Sequence, residues 1–164
     1  MRPAVLPAAL VPALSLSLSS EDVFVATQVL ELLAVIMLDG EEACSCGRGE
    51  YGKPGLGHVG PLFNANRLAA VKLPAGRACL QLAAGRKHSA FLLEASEVFC
   101  CGANEHGQLG LGHRWNTFEP QQMRLPVGDD VHVAQLTCGD HHTVLVLSSG
   151  EAWACGGNER LQCG

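Results

Sequence analysis

Several features that would assign a chemistry are missing from this sequence. No window carries the five or six clustered Lys or Arg residues of a nucleic-acid patch, and the 11 basic and 16 acidic residues leave a formal net charge of −5. No two cysteines have the Cys-x-x-Cys spacing of a structural zinc site. Aromatic residues make up only 5% of the chain. These absences argue against nucleic-acid binding through a basic face and against a zinc module.

Long apolar runs are also scarce. The stretch 23–38 is apolar, but it contains Glu31 and is short for a membrane span. The first twenty residues combine Arg2 with an apolar run and small residues, as a signal peptide does, although three prolines interrupt the run. We expect no transmembrane helix and a leader over residues 1–22 that is either disordered or signal-like. Secretion follows only if residues 1–20 are a signal peptide.

Glycine and cysteine are the residue types that stand out. Nineteen glycines in 164 residues exceed the usual share of roughly 7% and indicate many tight turns between short elements, which favours an all-β fold. The eight cysteines are compatible with a disulfide framework, with metal binding or with reduced thiols. Their scattered spacing favours reduced thiols in an intracellular protein of the cytoplasm or nucleus.

A repeat with a period of 54 residues organises most of the chain. The segment AGRKHSAFLL, which begins at Ala84, returns as CGDHHTVLVL from Cys138. The segment CGANE from Cys101 returns at the same offset as CGGNE from Cys155. Many matches at one offset are the signature of stacked structural units.

A shift of 55 residues extends the repeat towards the N-terminus. It aligns GLGH at 110–113 with GLGH at 55–58, but it places Leu30 and Leu33 where the later copies have glycine and histidine. The chain therefore divides into a leader at 1–22 and repeats over 23–164: a degenerate unit at approximately 25–78, the best unit at 79–132 and an incomplete unit at 133–164.

Each unit is expected to contain about four strands, which is the size of a propeller blade. The apolar run 23–38 is ambiguous between a degenerate strand pair and a short helix. Elsewhere the apolar and alternating runs predict strands at 80–83, 98–101, 132–136 and 152–155, with a last strand of the second unit near 120–125.

The pattern Gly-x-x-His, an apolar strand and then Gly-x-Asn-x-x-Gly-Gln-Leu-Gly-x-Gly resembles the repeat of the regulator of chromosome condensation family. The best copy runs over 85–112, and the resemblance covers roughly 25–164. It implies an all-β fold, a partial β-propeller of four-stranded blades of about 54 residues. Two departures are a cysteine where the family often has Trp, and Leu161 in place of a loop glycine. The signature residues are Gly85, His88, Gly102, Asn104, Gly107, Gln108, Gly110, Gly112, Gly139, His142, Gly156 and Asn158.

These recurring residues are interpreted as structural parts of a blade. A glycine-rich loop such as 104–112 can cradle phosphate, but a Walker lysine and a following helix are missing, so a turn with positive φ angles is favoured. Asn104 and Asn158 are expected to bond the backbone of that turn. His88 and His142 are expected to tie a turn to the neighbouring strand through a ring nitrogen. We predict no catalytic, cofactor-binding or metal-binding residue and no cofactor.

Arg114, Trp115 and Phe118 are the candidates for contact with a partner. They lie between the glycine-rich loop and the next strand, and loops on propeller faces are common binding sites. Aromatic and Arg side chains are enriched at interface hot spots. The alternative is that Trp115 and Phe118 cap the core of their own blade.

The functional expectation is a protein-interaction module or scaffold that is part of a larger propeller and is not an enzyme. The resemblance implies an alternative, guanine-nucleotide exchange on a Ran-type small GTPase. A closed propeller of the family would need about seven blades, roughly 380 residues at this period, so exchange would need further blades. Open sheet edges would favour self-association.

Overall fold

The computed structural model of the 164-residue chain describes residues 23–28, 33–38, 42–57, 64–125 and 132–164. The leader predicted over 1–22, with its signal-peptide alternative, lies outside these residues. Within the described ranges the chain forms eleven strands in three antiparallel sheets and contains no α-helix. The all-β class predicted from the sequence is confirmed.

Each sheet is a meander in which strands consecutive in the chain pair side by side. The first sheet contains β1 (Val23–Gln28), β2 (Leu33–Leu38), β3 (Glu42–Arg48) and β4 (Asn64–Ala70). The second contains β5 (Cys79–Ala84), β6 (His88–Leu93), β7 (Val98–Gly102) and β8 (Thr117–Gln122). The third contains β9 (Val133–Cys138), β10 (His142–Leu147) and β11 (Ala152–Gly156). Short 3-10 turns lie at Glu50–Gly52 and Glu94–Ser96.

Two expectations about strands are decided by the structure. The ambiguous run 23–38 contains the strand pair β1 and β2, joined antiparallel along their full length. The last strand of the second unit, expected near 120–125, is β8 at Thr117–Gln122. The strand begins three residues earlier than predicted. A register shift in β7 lets Thr117 pair with Gly102, so that β8 begins within the polar part of the loop.

Strand β6 is the centre of the core because both of its faces are covered. All six of its residues are buried. Phe91 and Leu93 belong to an apolar cluster formed with the first sheet. Ala90 and Leu92 belong to a second cluster, formed with the third sheet. A strand that is buried on both faces needs apolar residues at consecutive positions, which explains its continuous apolar run.

Strands β7 and β11 each end at a glycine. In both sheets, the turn before the second strand packs directly against this glycine. Gly102 and Gly156 have φ angles of +114° and +124°. A Cβ on Gly102 would overlap the carbonyl of Lys87 and the backbone of His88, and a Cβ on Gly156 would meet the corresponding turn of the third sheet. Glycine is therefore required at this repeat position by both backbone conformation and space.

Replacing Leu161 by glycine should stabilise the fold. Leu161 has a left-handed φ of +59° and its side chain is 79% exposed. A non-glycine residue in this conformation costs about 1–2 kcal/mol, and the entropy of glycine in the unfolded chain offsets about half of that gain. Leu161→Gly should raise the free energy of unfolding in urea by about 0.5–1 kcal/mol.

Gly107 provides the matched control, because it occupies the same repeat position with a φ of +79° and open space around it. Gly107→Leu should lower the free energy of unfolding by a similar amount, since only the backbone conformation is strained. A Leu161→Gly chain that is no more stable than the native one would contradict the left-handed backbone at residue 161.

Candidate functional site

One contact that joins the second and third sheets is centred on a buried carbonyl oxygen, that of Gln108 in the glycine-rich loop. Thr143, at the start of β10, donates its hydroxyl proton to this oxygen at 2.7 Å. The Cys155 thiol, on β11, donates to the same oxygen at 3.4 Å. His88 completes the arrangement, with its Nε2 atom 3.0 Å from the Thr143 hydroxyl oxygen. Two strands of the third sheet are thereby attached to a loop of the second.

The hydrogen bonds around His88 place a proton on its Nε2 atom, and burial keeps the ring neutral. Because the Thr143 hydroxyl donates to the Gln108 carbonyl, the Thr143 oxygen is left to accept a hydrogen bond from the Nε2–H group of His88. The Nδ1 atom is buried without a hydrogen-bond partner among the described residues. Burial, and then the charges of His141 and His142, lower the pKa of His88 from 6.5 to about 4. His88 is therefore a neutral imidazole at physiological pH.

The first and second sheets are joined in the same way, with one element missing. Ser89 Oγ donates to the carbonyl of Lys53 at 2.9 Å, and Cys101 Sγ donates to the same oxygen at 3.5 Å. Lys53 precedes Gln108 by one repeat. The position of His88 is occupied in the first unit by Leu33. The hydroxyl-to-carbonyl bond therefore recurs at both joints, whereas the histidine belongs to the second joint alone.

His88 forms a ring-nitrogen hydrogen bond of the kind predicted, and its partner lies in the next sheet. The ring packs on its own turn, since a Cβ on Gly85 would overlap it, and its Nε2 atom bonds Thr143 on β10. The ring of His142 packs on Gly139 in the same manner. The sequence missed this role because the partner, Thr143, lies 55 residues away. The sequence feature that could have indicated this contact is the hydroxyl residue after each histidine, Ser89 after His88 and Thr143 after His142.

The glycine-rich loop is organised by its asparagine and its glutamine. Asn104 accepts a hydrogen bond from the backbone N–H of Leu109 at 3.0 Å through Oδ1, and its Nδ2 donates to the carbonyl of His113 at 2.8 Å. Gln108 Oε1 accepts from the N–H of His106 at 3.0 Å. The signature residues of this loop therefore bond the loop itself.

The remaining signature residues lie in matching places. Asn158 accepts from the backbone N–H of Cys163 at 2.9 Å. Gly110 and Gly112 have φ angles of +62° and +79° and lie against Met123 and Arg124, respectively, in the segment after β8. The glycine-rich loop therefore forms a tight turn and also supplies the carbonyl oxygen that joins two sheets.

The three candidate partner-contact residues differ in exposure. The Trp115 side chain is 70% exposed and stacks on the His113 ring, with centroids 4.3 Å apart and ring planes at 10°. Arg114 is also exposed. Phe118 is half-buried and lies against Gly52 of the first unit. Trp115 thus does not cap the core of its blade, and the alternative interpretation is wrong for this residue, because the loop turns it outward onto His113.

None of the eight cysteines, which all lie within the described ranges, forms a disulfide. Burial raises the pKa of Cys79 to about 11, and burial followed by the charge of Cys163 raises that of Cys155 to about 11. Burial raises the pKa of Cys100 and Cys101 well above the ordinary value. Protonated, enclosed thiols are weak nucleophiles and weak metal ligands.

Neither a metal cluster nor a membrane helix is found in the described part of the chain. No group of three or more His, Cys, Asp or Glu side chains there could hold a metal ion. No helix there has the length and apolar character needed to cross a membrane.

A cavity of 520 Å³ opens between the first and second sheets, at the strand ends away from the glycine-rich loop. The linker between β4 and β5 forms most of its wall, with small and apolar side chains such as Ala75 and Leu73. Of its charged lining residues, Arg77 is paired with Glu97. Glu94 is the other charged residue of the lining.

The neutral state of His88 should make stability depend on pH. Its pKa in the folded protein is about 4, below the unfolded value of 6.5. The stabilisation is therefore complete above about pH 6.5 and is lost as the pH falls towards 4. Between pH 7 and pH 4, the free energy of unfolding should fall by about 3 kcal/mol more in the native chain than in His88→Leu. Parallel urea-unfolding profiles for the two chains would contradict this assignment.

The buried thiols should react far more slowly than the outer ones. Cys100 and Cys101 are fully buried, whereas Cys163 is only half-buried in the last loop. With a disulfide-exchange reagent at pH 8, Cys163 should be labelled first, and Cys100 and Cys101 about 100-fold more slowly, through opening of the fold. Mass spectrometry of labelled peptides measures the order, and Cys163→Ser should remove the fast phase. Rapid labelling of Cys100 would contradict its enclosure in the apolar cluster between the second and third sheets.

Comparison with known proteins agrees with the repeat. The model of the Regulator of chromosome condensation (RCC1) repeat matches residues 96–146, and a second model of that description matches 80–108 and 133–162. The ultraviolet-B receptor UVR8 of Arabidopsis thaliana is 30% identical over 132 residues, covering 80% of this chain and 29% of the receptor. The secretion-regulating guanine nucleotide exchange factor of Bos taurus is 31% identical over 121 residues, covering 72% of this chain and 25% of that protein.

A solved structure shows the same fold. Yeast RCC1 (Prp20), in its complex with Kap60, superposes with a TM-score of 0.72 at 18% identity, covering 90% of this chain and 32% of Prp20. The chain thus spans about a quarter to a third of the length of these proteins. The partial β-propeller predicted from the sequence is confirmed, and the chain belongs to the regulator of chromosome condensation repeat family.

Proposed function

We propose that this chain is a protein-interaction module, a propeller segment that presents the loop around Trp115 to a protein partner. The observation that carries the proposal is an aromatic side chain that is 70% exposed although it is held in a fixed place. Among residue types, Trp is one of those enriched at the hot spots of protein interfaces.

The loop holds Trp115 in place through hydrogen bonds on both sides. The side chain of Asn116 accepts from the backbone N–H of Asn104 at 2.8 Å. Asn104 in turn donates to the carbonyl of His113, the residue on which Trp115 stacks. A side chain that is already ordered loses little entropy on binding, so its contact area translates more fully into affinity.

We also propose that the chain binds its partner without catalysing a reaction. Cys100 and Cys101 are buried and protonated, and the buried His88 is committed to a hydrogen bond with Thr143. Such groups stabilise a fold and do not reach a substrate. We propose that the chain acts in the cytoplasm or nucleus, because its cysteines remain outside disulfides. Self-association through open sheet edges stays a prediction.

Guanine-nucleotide exchange on a Ran-type small GTPase is the second candidate. It is favoured by the similarity to a secretion-regulating guanine nucleotide exchange factor. The chain spans 25% of that relative, so the activity would depend on further blades.

Removing the Trp115 ring should abolish partner binding and leave the fold intact. The native chain, Trp115→Ala and Leu80→Ala are used as baits in a cell extract, and retained proteins are quantified by mass spectrometry. Leu80 is the matched control because it is an exposed apolar residue, 54% accessible, on β5 away from the loop. We expect a set of proteins that the native chain and Leu80→Ala retain and that Trp115→Ala retains at least about 10-fold less. Equal retention by all three chains would refute the loop as the binding surface.

A second assay separates the two candidate functions. Release of a fluorescent guanine nucleotide from a Ran-type GTPase is followed with and without the chain. Acceleration that is lost in Trp115→Ala would support exchange. An unchanged release rate would leave the interaction module without exchange activity of its own.

A further inference from the structure

We propose that the loop around Trp115 binds an acidic segment of its partner protein, with Arg114 and Arg124 pairing with carboxylates of that segment and the Trp115 ring covering an apolar side chain beside them. The inference rests on the proposed function and specifies the chemistry of the partner. Its basis is a pair of exposed arginines that the fold brings to the same loop as the exposed ring.

The guanidinium of Arg124 lies against the loop at Gly112. A Cβ atom on Gly112 would lie only 3.0 Å from Arg124 Nη1, so the missing side chain makes room for the cation. The backbone N–H of Arg124 donates to the carbonyl of Gly110 at 3.0 Å, which holds the residue beside the loop. The chain from Gly112 to Trp115 spans at most about 11 Å. Arg124 therefore joins Arg114 on the segment that carries Trp115.

Both arginines are exposed, and neither forms an ion pair with another residue that the structure describes. The segment 106–125 contains a single acidic residue, Glu119. Its carboxylate is 2.7 Å from Lys72 Nζ, so another cation already neutralises it. Arg77, by contrast, is paired with Glu97. The loop thus carries uncompensated positive charge in a chain with a formal net charge of −5.

The residue types of this surface fit carboxylates and apolar groups together. A guanidinium donates two parallel N–H bonds to one carboxylate, which gives an arginine a defined geometry for each acidic side chain. The Trp115 ring is 70% exposed and held in a stack on His113, so it offers a flat apolar face beside the two cations. Arg and aromatic side chains are also the types enriched in protein interfaces.

The small number of cations favours a protein segment over a nucleic acid. A nucleic acid carries one charge at every phosphate, and proteins bind it by neutralising several of these charges with Lys and Arg. The sequence has no window with five or six clustered basic residues. The net charge of −5 also repels a polyanion, whereas two direct ion pairs act within the Debye length of about 8 Å. A short segment with a few carboxylates therefore fits this surface.

Selection of peptides on the whole chain tests the inference. A phage-displayed library of random peptides is selected on the native chain and, in parallel, on Trp115→Ala. Peptides that only the native chain retains are synthesised, together with versions in which Asn and Gln replace Asp and Glu. Their affinities are measured by calorimetry for the native chain, Arg114→Gln, Arg124→Gln and Arg160→Gln. Arg160 is the matched control because it is an exposed arginine in the last loop, outside this surface.

We expect the Trp115-dependent peptides to combine two or more acidic residues with an apolar one. Removing the acidic groups should weaken binding at least about 10-fold, and Arg114→Gln or Arg124→Gln should each weaken it about fivefold. Arg160→Gln should change the affinity less than about twofold. Raising the sodium chloride concentration from about 50 to about 300 mM should weaken binding about 10-fold for the native chain. Urea unfolding of each variant checks that its fold is intact.

Two results would separate this inference from the proposed function. Trp115-dependent peptides that are neutral or basic would overturn the acidic partner and leave the loop as a binding surface. Identical peptides retained by the native chain and by Trp115→Ala would contradict the proposed function as well. Binding of single-stranded RNA that is tighter than that of the peptides and is lost in Arg114→Gln would assign the surface to a nucleic acid and would overturn the inference.

Discussion

Neighbouring sheets are held together by a hydrogen bond between a side-chain hydroxyl and a backbone carbonyl. The hydroxyl lies near the start of the second strand of one sheet, and the carbonyl lies in the loop of the preceding sheet. Ser89 and Thr143 make this bond at 2.9 Å and 2.7 Å, in surroundings from which water is excluded. A buried carbonyl without a donor would destabilise the fold by about 1–3 kcal/mol, so the hydroxyl fixes the distance and register between neighbouring sheets. His88 adds a further bond where the first unit has leucine, which makes the second joint sensitive to protonation.

The glycine-rich loop that supplies the acceptor carbonyl also leads into the exposed surface around Trp115, which we propose binds a partner. Asn104 contacts both parts of the loop. Its Oδ1 atom accepts from the N–H of Leu109 and orders the turn that contains Gln108, and its Nδ2 atom donates to the carbonyl of His113, on which Trp115 stacks. The rigid part of the loop is buried against the next sheet, and its outer part projects an aromatic ring. The same residues therefore order the core and preorganise the surface.

Much of the fold follows from repetition in the sequence, whereas the contacts between units do not. A 54-residue offset was sufficient to predict strands and the family, because glycine, asparagine and glutamine recur where backbone geometry demands them. The end of the second unit was misplaced, since pairing of Thr117 with Gly102 depends on a register shift that local pattern does not encode. The partner of His88 was missed because its hydroxyl lies in the next unit, and the exposure of Trp115 depends on how a loop folds back on His113.

The central claim is that His88 and Thr143 act together across the second joint, and a double-mutant cycle tests it most directly. Free energies of unfolding are measured at pH 7 for the native chain, His88→Leu, Thr143→Val and the double variant. The account predicts a coupling energy of about 0.5–1.5 kcal/mol, because either single change removes the same bond. Additive effects of the two substitutions would contradict it, since the two side chains would then stabilise the protein independently.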